Sequence, residues 1–156
     1  MPVDVTATLS ADVSPERLFA VVADLGGYPE WLEIVPRAES LDASPDDPGP
    51  AWSVDLRGQL GPLRRSKRIR MVRSLSESPR VVRFVRRELD GRSHSDWVLE
   101  ARVDAPTSDE VTTLVMSLHY GGSMWMPMLD RLLSDEIERS RPRLLELLAT
   151  TGSEDP

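Results

Sequence analysis

The stretch SPERLFAVVADLGGYPEWLEIVPRAE, residues 14–39, decides how the chain is read. Ser14 carries the oxygen of a helix N-cap, and Pro15 stands at the first helical position, where a missing N–H costs nothing. Leu18, Val21, Val22 and Leu25 then recur at helical spacing. Gly26 and Gly27 are read as the stop of this helix. Residues 28–35, YPEWLEIV, are read as a second short helix with Pro29 at its start. Tyr28 and Trp31 therefore stand at a corner between two helices, in a chain only 5% aromatic.

Outward from this corner the pattern changes to a period of two. Upstream, VDVTATLS (3–10) alternates Val3, Val5, Ala7 and Leu9 with polar residues, the signature of a half-buried strand. Downstream, RAESLDA (37–43) is a short strand that ends in SPDDPGP (44–50), a loop by its proline content. Four further strands are expected at 51–60, 63–75, 80–89 and 94–105, with DGR at 90–92 as a hairpin turn. The last strand is 109–120, broken by Gly121 and Gly122. Residues 123–150 are read as a long amphipathic helix with Trp125, Leu129, Leu132, Leu133, Ile137, Leu144 and Leu148 on its stripe, and Pro142 is expected to kink it. The order is strand, two short helices, six strands, long helix.

That order predicts an α+β domain. Short connections make the seven strands an antiparallel sheet, and sheet and helix must cover each other's apolar faces. A wide, twisted sheet curved around one helix leaves space that side chains do not easily fill, so an internal cavity is expected. One domain spans 1–149, and 150–156 is expected to fray. With 156 residues the chain can bury a core without staples. It has no cysteine, which excludes disulfides, thiolate nucleophiles and Cys-ligated zinc. No signal peptide and no apolar run of membrane-spanning length is seen, so the expected location is cytoplasmic.

The net charge of −7 is unevenly spread. Residues 57–92 hold 12 of the 19 basic residues and 3 of the 26 acidic ones. Arg64, Arg68, Arg70, Arg83 and Arg87 fall on the outward parity of two neighbouring strands and define a basic ribbon. Such a ribbon suits an anionic lipid surface or an acidic protein, and less well RNA, because it lacks aromatics for base stacking. The same residues read equally as a solvated, arginine-rich face.

Few residues offer acid–base chemistry. His94 and His119 are the only histidines, and strand parity turns both outward. No metal-ligand spacing, phosphate loop or cofactor motif occurs, so neither metal nor cofactor is expected. The inward parity that carries Ile69 and Met71 also carries Lys67 and Arg73, and that of Val82 and Phe84 carries Arg86. An inward arginine either pairs with a carboxylate such as Glu88 or Asp55, reaches solvent along its stem, or binds an oxyanion in the cavity.

Ser14, Pro15, Asp24, Tyr28, Pro29 and Trp31, with the order of elements, resemble the START-like (SRPBCC) superfamily, the polyketide cyclase/dehydrase and lipid-transport family. The resemblance implies a helix-grip fold, in which the long C-terminal helix lies across the curved sheet over a deep apolar cavity. It places Tyr28 and Trp31 near the cavity mouth. Trp52, Met71, Phe84 and Trp97 are the expected ligand contacts on the strands, with Met116 on the last. Trp125, Met128 and Leu132 are those expected at the start of the long helix. In cyclases of this fold an inward arginine with nearby hydroxyls positions the substrate, which makes Arg73, Arg86 and Tyr120 the catalytic candidates. Binding of a lipid, polyketide or isoprenoid is the leading expectation. Cyclase, aromatase or dehydratase action on a polyketide precursor is the first alternative, and a protein or RNA interaction module is the second.

Overall fold

The computed structural model describes residues 3–60, 63–104, 111–121 and 126–153. Strand β1 (Val3–Ala11) is followed by helix α1 (Pro15–Val22), a 3₁₀ helix (Leu25–Glu30), and the strands β2 (Arg37–Leu41), β3 (Ala51–Leu60), β4 (Leu63–Glu77), β5 (Val81–Arg86), β6 (Trp97–Asp104) and β7 (Thr112–Tyr120). Helix α2 (Met126–Ser153) closes the chain. It reaches past the boundary at 149 read from the sequence, and it continues on both sides of Pro142.

The seven strands form one antiparallel sheet in the order β1-β7-β6-β5-β4-β3-β2. Strands β2 to β7 are a meander of neighbours, and β1 returns beside β7, so the helices between β1 and β2 cross from one edge to the other. Alternation decides which face is apolar. Val5, Phe84, Val82, Ala101, Met116 and Leu114 are buried on the inner face, and α2 lies against β1 with Leu144 and Leu148 inward. This is the helix-grip arrangement expected from the order of elements.

Helix α1 begins as its sequence demands: the Ser14 hydroxyl accepts the Arg17 N–H at 3.2 Å, and Pro15 follows at the first position. Its end differs from the expectation. The helix stops at Val22 with Ala23 as its C-cap, so Gly26 and Gly27 do not terminate it. They lie inside the 3₁₀ helix, because Asp24 caps that element and accepts the Gly26 N–H at 3.0 Å. The expected second helix at 28–35 is therefore shifted towards the N-terminus and is of the tighter type.

Two other corrections concern strand ends. β5 stops at Arg86 rather than at residue 89, because Glu88 turns back to accept both Arg86 Nε and the Arg70 N–H. The DGR turn, with Gly91 at φ 73°, thus sits inside a longer loop and not at a tight hairpin. In β4 the register shifts between Arg73 and Leu75, a bulge that reverses parity in the rest of the strand.

The 44–50 loop is a strap across the outer face. Asp47, with a side chain only 1% exposed, accepts Arg70 Nη2 at 2.6 Å and Nη1 at 3.2 Å, and Arg87 Nε lies 3.7 Å away. The Asp47 carboxyl is lowered to about 2, chiefly by the Arg70 hydrogen bond, with burial opposing it. A group depressed in the folded state contributes stability that is complete above its unfolded pKa, near 4, and is lost as pH falls towards 2. Asp47→Asn is therefore expected to lower the urea midpoint at pH 7. Its difference from the parent should shrink as pH falls through 4 towards 2. An unchanged difference across that window would show that the pair does not act through the Asp47 charge.

Candidate functional site

The corner that opens the sequence is a core feature. Tyr28 is 0% exposed, and Trp31 is 2% exposed. The Tyr28 ring lies 4.8 Å from that of Trp31 and 6.2 Å, edge-on, from Phe84, which in turn meets Trp52 edge-on at 5.6 Å. The Tyr28 hydroxyl donates to the Val22 carbonyl at 2.8 Å, and burial pushes the phenol well above its ordinary range. Tyr28 therefore does not stand at a cavity mouth with a free hydroxyl: it closes the end of α1, whose last carbonyls have no helical partner. A second aromatic pair, Trp97 with Tyr120 at 4.5 Å, covers the far end of β6 and β7.

The two arginines read as inward from the sequence are both engaged. Arg73 is half-buried, and its Nη1 donates to the Ala23 carbonyl at 3.1 Å, so it caps α1 beside Tyr28. Arg86 is 6% exposed along its side chain, between Met71 and the end of β6. Its Nε donates to Glu88 at 2.8 Å, its Nη1 to the Ser95 carbonyl at 3.3 Å, and its Nη2 lies 3.3 Å from His94 Nδ1. A guanidinium only donates, so Nδ1 accepts and His94 presents its Nε2 proton to Asp90 at 2.8 Å. Lys67, on the same parity as Arg73, lies beyond the core and is exposed. His119 sits on the outer face with Asp4 at 2.8 Å.

The basic ribbon is not a row of free cations. Arg68 pairs with Asp55 at 2.7 Å, Arg83 with Glu100 at 2.7 Å, and Arg87 faces Asp47. Arg70 has the outward parity expected of it but is buried, because the Asp47 strap covers it. The Arg64 side chain, Trp125, and the side chains of Met128 and Leu132 lie outside the described residues. Among the described residues no group of three or more His, Cys, Asp or Glu side chains is placed to hold a metal ion, and no helix is long and apolar enough to cross a membrane.

Around Leu99 and Leu118 the inner face is apolar. Leu99 pairs in register with Phe84 on one side and Leu118 on the other, and Leu118 with Val5. Phe84 and Val5 are buried, whereas Leu99 and Leu118 stay half-buried on that face. Next to them, between the sheet and the C-terminal half of α2, is a crevice of about 20 Å³. Ala7, Thr8 and Leu9 of β1, Leu114 and Met116 of β7, and Ile137, Ser140, Arg141 and Leu144 of α2 line it, with Trp31. That volume holds one water-sized group. Trp31 Nε1 is buried with no hydrogen-bond partner among the described residues, a state that costs about 1–3 kcal/mol.

Sequence reasoning thus found the aromatic residues but not the tasks of Tyr28 and Arg73, whose polar groups are turned to the end of α1. Trp31 and Met116, both singled out from the sequence, meet at the crevice. Ser140 and Arg141 were missed; the sequence presents them as polar positions next to the apolar stripe, with only their spacing from Ile137 and Leu144 to mark them.

The sheet gripped by one long helix, with an apolar crevice between them, defines a helix-grip protein. The comparisons agree. The family described as polyketide cyclase/dehydrase and lipid transport matches residues 2–148, and the chain belongs to it. No curated protein is close enough in sequence to count as a match. Among solved structures, a START superfamily protein from Mycobacterium smegmatis superposes with a TM-score of 0.73 at 16% identity, over 95% of this chain and 98% of its own. A protein from Thermus thermophilus gives 0.69 at 14% identity, over 96% and 99%. The Zhui aromatase/cyclase from Streptomyces sp. R1128 gives 0.60 at 15% identity, over 98% and 94%.

Proposed function

We propose that this chain binds a small hydrophobic ligand between its sheet and α2 and does not transform it. The family supports the ligand class. The observation that carries the second half is the engagement of Arg86, held by Glu88, Ser95 and His94, while Arg73 donates to the Ala23 carbonyl. Polarising an enolate needs a preorganised donor aimed at the developing charge, and a guanidinium held by a carboxylate on the protein itself is already neutralised. Leu99, Leu118 and Met116 offer a ligand apolar surface instead.

The test is native mass spectrometry of the purified protein with organic extraction, followed by titration with the neutral probe N-phenyl-1-naphthylamine. A co-purifying lipid, or saturable quenching of tryptophan emission by the probe, is the expected result. A protein that carries nothing and leaves its tryptophan emission unchanged would overturn the reading.

Cyclisation of a polyketide precursor is the second reading. The likeness of fold to the Streptomyces aromatase/cyclase favours it. It requires turnover of a poly-β-ketone substrate that an Arg86→Met variant abolishes.

A further inference from the structure

We propose that the crevice beside Trp31 receives the carboxylate of an amphipathic monocarboxylate whose alkyl or polyene chain lies over Leu118 and Leu99. This rests on the hydrophobic-ligand reading above and narrows its chemistry. Two residues that line the crevice carry a buried N–H without a hydrogen-bond partner among the described residues: Trp31 at Nε1 and Arg141 at Nε. They come from different elements, one from the turn that follows the 3₁₀ helix and one from α2. An indole N–H only donates, and so does a guanidinium, so the group they lack is an acceptor. The charge on Arg141 makes an anionic acceptor the better match.

The surroundings are consistent with a carboxylate end rather than a chain end. The volume of about 20 Å³ takes one terminal group and not a run of methylenes, and it is the two unpartnered N–H groups that select a polar one. Arg141 is held in place because its Nη2 donates to the Thr8 carbonyl on edge strand β1. Its side chain is 41% exposed as a whole, while the Nε atom itself is buried and faces protein rather than solvent. Glu138 forms an exposed ion pair with Arg141 Nε at 3.7 Å, too long to satisfy the N–H and screened by solvent, unlike the buried Arg86–Glu88 pair. Ser140, buried next in sequence, donates its hydroxyl to the Glu136 carbonyl at 2.7 Å and so offers a carboxylate no proton; the donors are Trp31 and Arg141 alone. From Met116 in the crevice wall the inner face continues along β7 to Leu118, and across to Leu99, both half-buried. A head group at Trp31 and Arg141 thus leaves its chain an apolar floor to lie on.

The experiment compares decanoate with 1-decanol, which has the same chain without the charge, by isothermal titration on the full chain and on Trp31→Phe and Arg141→Lys. Phenylalanine keeps the ring and removes only the N–H; lysine keeps the charge and removes Nε–H. The parent is expected to bind decanoate at least tenfold more tightly than decanol, and each variant to cut that preference about three- to tenfold. The ratio of the two affinities is a readout that loss of packing alone does not move. Equal affinities in the parent, or a ratio that neither variant changes, would overturn the carboxylate site while leaving the hydrophobic-ligand reading in place. Failure of both probes to bind would overturn both.

Discussion

Tyr28→Ala is expected to destabilise the fold by about 3–5 kcal/mol, the cost of deleting a large buried ring. For a chain of this length that is a fall in Tm of about 10 °C. The residue is 0% exposed and holds three things at once. Its ring joins Trp31 to Phe84, its hydroxyl donates to the Val22 carbonyl, and its own carbonyl accepts the N–H groups of Trp31 at 3.0 Å and Leu32 at 2.8 Å. The alanine variant keeps the last of these and loses the other two. Tyr28→Phe isolates the hydroxyl: it should cost only about 1–2 kcal/mol, because one carbonyl is left bare while the ring stays. Thermal melts of the pair check both values. If Tyr28→Phe were as damaging as Tyr28→Ala, the hydroxyl and not the ring would be the main support of the corner.

The second large effect is at Arg86. Arg86→Met should cost about 3 kcal/mol, because it leaves Glu88 charged and mostly buried with only the Arg70 N–H to offset it. The double variant Arg86→Met with Glu88→Met should recover most of that loss, since apolar groups of similar volume replace the pair. The single variant also loosens the 87–96 loop, which the guanidinium holds through Ser95 and His94. Denaturant titration of the two variants decides between roles. A single variant of parental stability, combined with loss of ligand binding, would make Arg86 a ligand anchor and revive the cyclase reading.

The architecture was legible because it depends on periodicity and on a few chemically specific positions. Ser14 and Pro15 start a helix in any setting, and the alternation in β1, β3 and β7 needs no partner to be recognised. The order of elements then limits the topology. Tasks of individual side chains were less legible, because they depend on what arrives from elsewhere in the chain. Arg70 reads as outward, and it is; only the strap makes it buried, and nothing in the sequence says that Asp47 folds back over β4. Arg73 reads as inward, and it is; its head ends at Ala23 because α1 stops earlier than the glycines suggest. Gly26 and Gly27 look like a helix stop because glycine commonly is one, but Asp24 had already opened the next element. The crevice needed Trp31, β1, β7 and α2 in one place, a conjunction that no single stretch encodes.

The strap also fixes one position against change. A Cβ on Gly49 would stand 2.5 Å from the Arg73 carbonyl oxygen, a backbone atom with no freedom to move aside. The Arg73 N–H binds the Pro50 carbonyl at 3.0 Å on the same stretch. Residue 49 is thus a gate on variation. A proline-rich surface loop would ordinarily drift freely between related proteins, yet here one site in it admits only the smallest residue. Selection on a buried corner therefore reaches an outer loop through a single strand, and the loop's length and its glycine should persist in relatives even where the charges around them do not.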